Sequence, residues 1–463
     1  MLTRIANDQP ISLLGRDFEV TAAEGHQGLL MHLQKACERN IGSDVVPTRF
    51  AVASTTASGY HCELGSISGL SESARAPIDS IFEFHRRPTE NTQQFNVVLV
   101  VPTGIGAEIG GHAGDAAPVA RLLGAACDTL ITHPNAVNAS DLNEIPENGL
   151  YVEGSVLCRL LMGTAGLQPV RANRILVVID AHEDEMFVNL AINAVNAARA
   201  ALGLDCTQIV QLDPSIKLIA EYSASGSAVG RVESVERLFD VLDAYRHQYD
   251  AVAISSVISL PSNFHMDYFR SDGKMINPWG GVEAMLTHAV STLYNVPSAH
   301  SPMLENSDIA NADPGIVDPR MAAEAVSNAY LHCVLKGLHR SPKIVTDPIG
   351  MWHHSVLTAA DISCLVIPDG CLGLPTLAAL EQGIKVIAVR ENRNLMRNDL
   401  SSLPWATGQF YSVDNYWEAA GVLTALKAGV SPSAVRRPIN EIEVEKKSSE
   451  PHTDAVRTVG AHS

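Results

Sequence analysis

Apolar positions along the chain change period near residue 96. From there on, short continuous Val/Ile/Leu runs alternate with longer stretches whose apolar residues recur at three and four. NVVLVVPTG, DTLITHP, RILVVIDAHEDE, CTQIVQLD, DAVAISSVI, ISCLVIPDG and IKVIAV read as buried strands. DAAPVARLLGAAC, FVNLAINAVNAARAALGL, VESVERLFDVLDAYRHQ, MAAEAVSNAYLHCVLKGLH, LPTLAALEQG and NYWEAAGVLTALKAG read as helices, with Gly383 placed just past the end of the fifth. Strands of this kind joined by helices predict parallel sheet covered on both faces, with right-handed crossovers. Residues 1–90 have another pattern. HQGLLMHLQKACER has helical spacing, and RFAVAS, GYHCELGSI and SIFEFH read as short strands, so a small α+β module is expected there. The polar stretch 85–94, HRRPTENTQQ, is the expected first boundary.

The fold class expected is therefore α/β, with one or two Rossmann-like parallel-sheet units flanked by helices. The expected blocks are the N-terminal module at 1–90, a Rossmann-like domain with a Gly-rich loop at 91–330, and a second α/β unit packed on it at 331–430. A flexible tail is expected at 431–463, where the sequence turns polar and Pro-broken.

Composition narrows the function classes. Apolar residues make up 46% and charged residues 18%, which suits a large core and excludes disorder as the main state. Lys and Arg number 33 against 51 Asp and Glu, a formal charge of −18, which argues against nucleic acid or an anionic membrane as partner. The eight cysteines are scattered without a CxxC pair, as expected of reduced thiols. With no apolar leader at the N-terminus and no apolar run long enough to span a bilayer, a cytoplasmic protein is expected.

The densest chemical signal is LVVPTGIGAEIGGHAGD, residues 99–115. Gly104, Gly106, Gly110, Gly111 and Gly114 follow a buried strand, and a helix is expected to begin near Asp115. Such a turn lets backbone approach a ligand, and a helix N-terminus favours an anion. The spacing is GxGxxxG rather than GxGxxG, so a dinucleotide fingerprint is broken. ITHPNAVNASDLNE, residues 131–144, follows the next strand and carries His133, Asn135, Asn138 and Asp141. Loops after consecutive parallel strands meet at the carboxyl edge, so these side chains are expected to face the Gly-rich loop. IDAHEDE reads first as an acidic helix start. Residues 261–306 contain a long aperiodic stretch, then Gly280–Gly281 opening a helix, then His300 and Glu305; a lid or substrate loop is expected. His288, inside that helix, reads as a packed histidine.

Two resemblances add to this. DGCLGLPTLAALEQGIKVIAV resembles the nucleotide-sugar segment of two-Rossmann-domain glycosyltransferases, where a Gly-Leu-Pro turn opens a helix facing a diphosphate. Taken together, VPTGIGAEIGGHAGDAAP, THPNAVN, NPWGGVEA and IPDGCLGLPTLAALEQGIKVIAVREN resemble a bacterial and plant family known as domain of unknown function 3326, over about residues 95–395. That likeness implies a domain assignment and no activity.

The expectation drawn from the residues is an enzyme of hydrolase or lyase type, acting on a small anionic or amide-bearing metabolite bound over Gly104–Gly114. His112 or His133 would be the general acid/base, oriented by Asp115 or Glu108. Asn135 or loop N–H groups would stabilise developing negative charge. Asn138, Gly280, Gly281, His300 and Glu305 would complete the substrate site. A divalent metal held by some of His112, His133, His300 and Glu305 stays open, as does homo-oligomerisation. The alternatives are a nucleotide-sugar-dependent transferase and a non-catalytic metabolite-binding protein.

Overall fold

The computed structural model describes residues 10–22, 28–206, 208–261, 264–439, 441–442 and 444–445. The protein is mixed α/β, with helices flanking two large sheets. One sheet is six-stranded and wholly parallel. Its order runs Gly149–Tyr151, Thr129–Thr132, Asn96–Leu99, Ile362–Pro368, Lys385–Val389, Phe410–Val413. Numbered by position in the chain, that order is 3-2-1-4-5-6. Its two central strands, Asn96–Leu99 and Ile362–Pro368, are short and buried on both faces, which is why they lack hydrophobic alternation.

The other sheet has ten strands and is mixed. Its parallel part joins Gln208–Leu212, Ile175–Asp180, Ala251–Ser259 and Ser298–Met303. The hairpin Lys217–Tyr222/Ala228–Glu233 then leads into the antiparallel strands Ser12–Thr21, Gly59–Ser68 and Val46–Thr56. The short strand Leu372–Gly373 closes the far edge by pairing with Val46–Thr56.

The blocks 1–90, 91–330 and 331–430 each contribute strands to a sheet shared with another block. Strand Ser12–Thr21 pairs with Ala228–Glu233, and Ile362–Pro368 pairs with Asn96–Leu99. The polar stretch 85–94 is pinned rather than loose. Arg87 donates from its side chain to the carbonyls of Ile362 at 2.7 Å, Gln382 at 3.0 Å, Gly383 at 3.1 Å and Ala359 at 3.2 Å.

Most expected elements are present, including helix Leu374–Gln382, which Gly383 ends in the left-handed conformation at φ +69°. Three differ. SIFEFH forms no strand; Phe82 is buried edge-on against Phe50 at 5.1 Å, so its apolar pattern reports packing of a loop. The helix expected over MAAEAVSNAYLHCVLKGLH is two, Ala322–Ala325 and Tyr330–Leu338. Between them the Ser327 hydroxyl accepts from the Ala329 N–H at 3.0 Å, a local bond that competes with the helical one. The helix expected from VESVERL begins only at Glu236, because the residues before it belong to the hairpin. Among the described residues, no helix is long and apolar enough to cross a membrane.

Candidate functional site

The Gly-rich segment leaves the parallel sheet after Leu99 and crosses to the mixed sheet. Small residues permit that crossing. A Cβ at Gly281 would stand 2.1 Å from the Ala228 carbonyl oxygen, and one at Gly104, where φ is +75°, 2.7 Å from the same atom. Loop, helix start and strand Ala228–Glu233 therefore meet where only glycine fits.

The rest of the loop is braced by its own polar groups. Asp115 accepts from the Gly110 N–H at 2.6 Å, and Asn135 donates to the Gly110 carbonyl at 2.9 Å. The Gly114 N–H donates to the Asn135 carbonyl at 3.1 Å, the Glu108 N–H to Arg393 and the Ile109 N–H to the Asn392 side chain. The Ala113 N–H donates to Glu324. These N–H groups, expected to meet an anion, are engaged within the protein.

His112 is buried and bonds through Nδ1 to the Tyr268 hydroxyl at 2.7 Å; that hydroxyl donates to Glu324 at 3.0 Å. Burial, with Arg320 nearby, pushes His112 down to about 4. Burial pushes Asp115 up to about 8 and Glu324 up to about 7. Glu108 pairs with Arg320 at 3.2 Å and Arg393 at 3.1 Å. His112, Asp115, Glu108, Gly104, Gly106, Gly110, Gly111, Gly114 and Gly281 hold the loop and stand outside the cavity wall described next.

That cavity, of about 290 Å³, lies where the carboxyl ends of both sheets face one another. Val100, Val101 and Ile367 bring the ends of strands Asn96–Leu99 and Ile362–Pro368, the pair at which the parallel sheet reverses its order, into its wall. In open parallel sheets ligands bind at such a point. From the expected site, His133, Asn135, Asn138, Gly280, His300 and Glu305 line it.

The histidines and glutamates of the wall fall into defined units. Glu153 caps helix Gly154–Met162, accepting from the Ser155 N–H at 2.9 Å and from the Ser155 hydroxyl. It also accepts from Thr287 at 3.2 Å and from His288 Nδ1. Burial works to raise the Glu153 pKa, but the His288 ring and these donors hold it below the ordinary value. A carboxylate so placed fixes the His288 tautomer with Nδ1 protonated and leaves Nε2 able to take a proton.

A second unit runs from the interior outward. The buried Ser256 hydroxyl bonds to His300 Nε2 at 2.7 Å, and His300 Nδ1 bonds to Glu283 at 2.9 Å. With the ring neutral, Ser256 donates to His300 and His300 donates to Glu283. Ser256 is fully buried and outside the cavity wall, so this chain presents Glu283 to the cavity rather than the serine. His133 accepts from the Val101 N–H at 3.0 Å and is pushed down by burial to about 4, so its ring is neutral near pH 7.

Sequence reasoning missed Glu153, Glu283, Glu324 and Arg49, and read His288 as mere packing. The available signal was Glu283, Thr287 and His288 gathered within little more than one turn of an otherwise apolar helix. The residues offered for a metal do not converge. His112 bonds Tyr268, His133 the Val101 N–H, His300 lies between Ser256 and Glu283, and Glu305 accepts from the Leu260 N–H at 2.9 Å. Among the described residues, no three His, Cys, Asp or Glu side chains are grouped to hold a metal ion. Nor does the wall suit a diphosphate, since Arg49 is its one cationic side chain among the described residues. In IDAHEDE, Asp184 caps helix Glu185–Leu202 by accepting from the Met186 N–H, the acidic helix start expected.

Fold and cavity together define the class, a mixed α/β protein with a cavity between its two sheets. The chain belongs to the protein family of unknown function DUF3326, whose model matches residues 96–436. It is 33% identical over 344 residues, 73% of this chain and 92% of the relative, to a Synechococcus protein named as an uncharacterized lipoprotein. No solved structure matches the chain.

Proposed function

We propose that the protein is an enzyme that moves a proton on a small metabolite held in the cavity between the two sheets. The observation that carries this reading is the Glu153–His288 pair. A buried, fully hydrogen-bonded carboxylate orients a histidine in the wall of a 290 Å³ cavity, the arrangement a general base requires. Glu153 would also stabilise the imidazolium formed when Nε2 takes the proton. The Ser256–His300–Glu283 chain supplies a second fixed acid/base or binding group in the same wall. Hydrolase or lyase chemistry uses such a pair. We read the parallel sheet as Rossmann-like, on its strand order and on the cavity at its switch point. All eight cysteines are free and seven are buried, which supports a reducing, cytoplasmic setting.

The test is incubation of the protein with pooled small metabolites in D₂O, with NMR following consumption or deuterium incorporation. A substrate converted by wild type should be left unchanged by His288→Ala and turned over slowly by Glu153→Gln. Conversion that survives His288→Ala at the wild-type rate would sink the proposal. Ligand stabilisation without conversion or exchange in any pool would favour a metabolite-binding protein.

A further inference from the structure

The charge of the cavity is unbalanced. Its wall carries four glutamates, Glu153, Glu283, Glu305 and Glu324, against Arg49 alone among cationic side chains of the described residues. Arg49 already faces Glu63 at 3.4 Å. Of the wall histidines, His133 and His265 are pushed down by burial, while His288 faces Glu153 and His300 faces Glu283. Burial also pushes Glu324 up to about 7, so the carboxylates least provided for are Glu283 and Glu305. The four glutamates are unequally served. Glu153 has the His288 ring and three other donors, and Glu324 has the Ala113 N–H, the Tyr268 hydroxyl and Asn277 at 3.2 Å. Glu283 accepts the His300 N–H, and Glu305 the Leu260 N–H. Glu153 and Glu324 are buried and served by several donors, whereas Glu283 and Glu305 are half-buried with one donor each and are the pair open to a ligand in the cavity.

The wall beside Glu283 is aromatic. Trp279 sits one helical turn before Glu283, and the Glu283 N–H bonds to the Trp279 carbonyl at 3.2 Å. His265 packs edge-on to the indole with ring centres 5.5 Å apart, and Phe269 lies 5.2 Å from His265. Carboxylates at the edge of an aromatic wall in a largely apolar cavity attract a cationic nitrogen through ion pairing and ring quadrupoles together.

From this cavity we infer that the substrate carries a protonated amine or a guanidinium, held between Glu283 and Glu305 against the Trp279 wall. The inference rests on the cavity being the substrate site, and it is independent of which group acts as the base. It stands in place of the anionic ligand expected over Gly104–Gly114, where the N–H groups of Glu108, Ile109, Gly110, Ala113 and Gly114 are engaged within the protein. Ser256 and His300 then act as positioning residues that hold the Glu283 carboxylate toward the ligand.

Butylamine, butylguanidine and butyrate share one alkyl chain and differ in the charged group, so they separate the readings. Thermal unfolding of the full chain is followed with each, in wild type and in Glu283→Gln. Glutamine keeps the side-chain volume and still accepts from His300, so folding is preserved. The two cations should raise the wild-type midpoint in a concentration-dependent way, and butyrate should not. Glu283→Gln should weaken the cations about tenfold or more, the loss of one charge-assisted contact. Stabilisation by butyrate alone, cation effects equal in both proteins, or a wild-type midpoint that neither cation moves would each overturn the inference. His288→Ala separates this inference from the proposed chemistry. It should abolish turnover yet leave the response to butylamine, so each idea fails on a different result.

Discussion

Side-chain placement decides how the loop after the first parallel strand behaves with pH. Asp115 and Glu324 are pushed up to about 8 and about 7 by burial, so the folded protein holds protons that the unfolded chain would release. Stability from these two groups is complete below ordinary carboxyl values and is lost as pH rises through about 7 to 8. His112 and His133 act in the opposite sense. Both are pushed down to about 4, so the unfolded chain binds protons that the fold excludes, and stability falls as pH drops from about 6.5 toward 4. Between about pH 6.5 and 8 only the carboxyls titrate differently. The unfolding midpoint should therefore decline across that window. Asp115→Asn, which can still accept from the Gly110 N–H, should flatten the decline. A wild-type midpoint that stays level from pH 6.5 to 8 would count against the buried carboxyls. At the same scale, Gly281→Ala places a methyl 2.1 Å from the Ala228 carbonyl, and the backbone must move. A loss of about 2–3 kcal/mol is expected from urea unfolding, as for other overpacked sites.

At the scale of elements, much of the pattern was legible and the pairing was not. Strands such as Ile175–Asp180 and Ile362–Pro368 are short and buried on both faces, so their composition alone marks them. Helix Leu374–Gln382 announces its own end through Gly383. The hairpin Lys217–Tyr222/Ala228–Glu233 was silent because its strands are half exposed and polar. The site was less legible still. Glu153 and His288 are far apart in the chain and meet only because helices Gly154–Met162 and Gly280–Tyr294 pack together. The glycines drew attention as a ligand cradle, and several of them instead allow backbone to pass backbone. Two element-level substitutions follow. Glu153→Ala removes a helix cap and strands several buried donors, so a loss of about 3–5 kcal/mol is expected by urea unfolding. Arg87→Ala leaves four carbonyls without their cationic donor, and about 2–4 kcal/mol should be lost by the same measurement. An Arg87→Ala protein as stable as wild type would show that 85–94 is a tether after all.

At the scale of the whole molecule, the chain crosses between the sheets more than once. Residues 12–68 build three strands of the mixed sheet, 96–151 three strands of the parallel sheet and 175–303 six more of the mixed sheet, and residues 362–413 return to complete both. Strand Asn96–Leu99 sits at the centre of the parallel sheet, and one of its two neighbours arrives more than 260 residues later. One large core cluster includes residues of both sheets, among them Val97, Val177, Ala253 and Val366. Such a core cannot form in instalments, because each half-sheet would expose a fully apolar edge and face. Residues 91–330 alone lack Ile362–Pro368, Lys385–Val389 and Phe410–Val413 from one sheet. They also lack Ser12–Thr21, Val46–Thr56 and Gly59–Ser68 from the other. That fragment should show no cooperative thermal transition and should bind a hydrophobic dye, while the full chain unfolds in a single step whether followed by far-UV or near-UV circular dichroism. A sigmoidal transition for the fragment, with its own midpoint, would mean that the shared core is not what holds the sheets together. The cavity would then lie between separable domains, and a ligand there would stabilise each half unequally instead of raising one common midpoint.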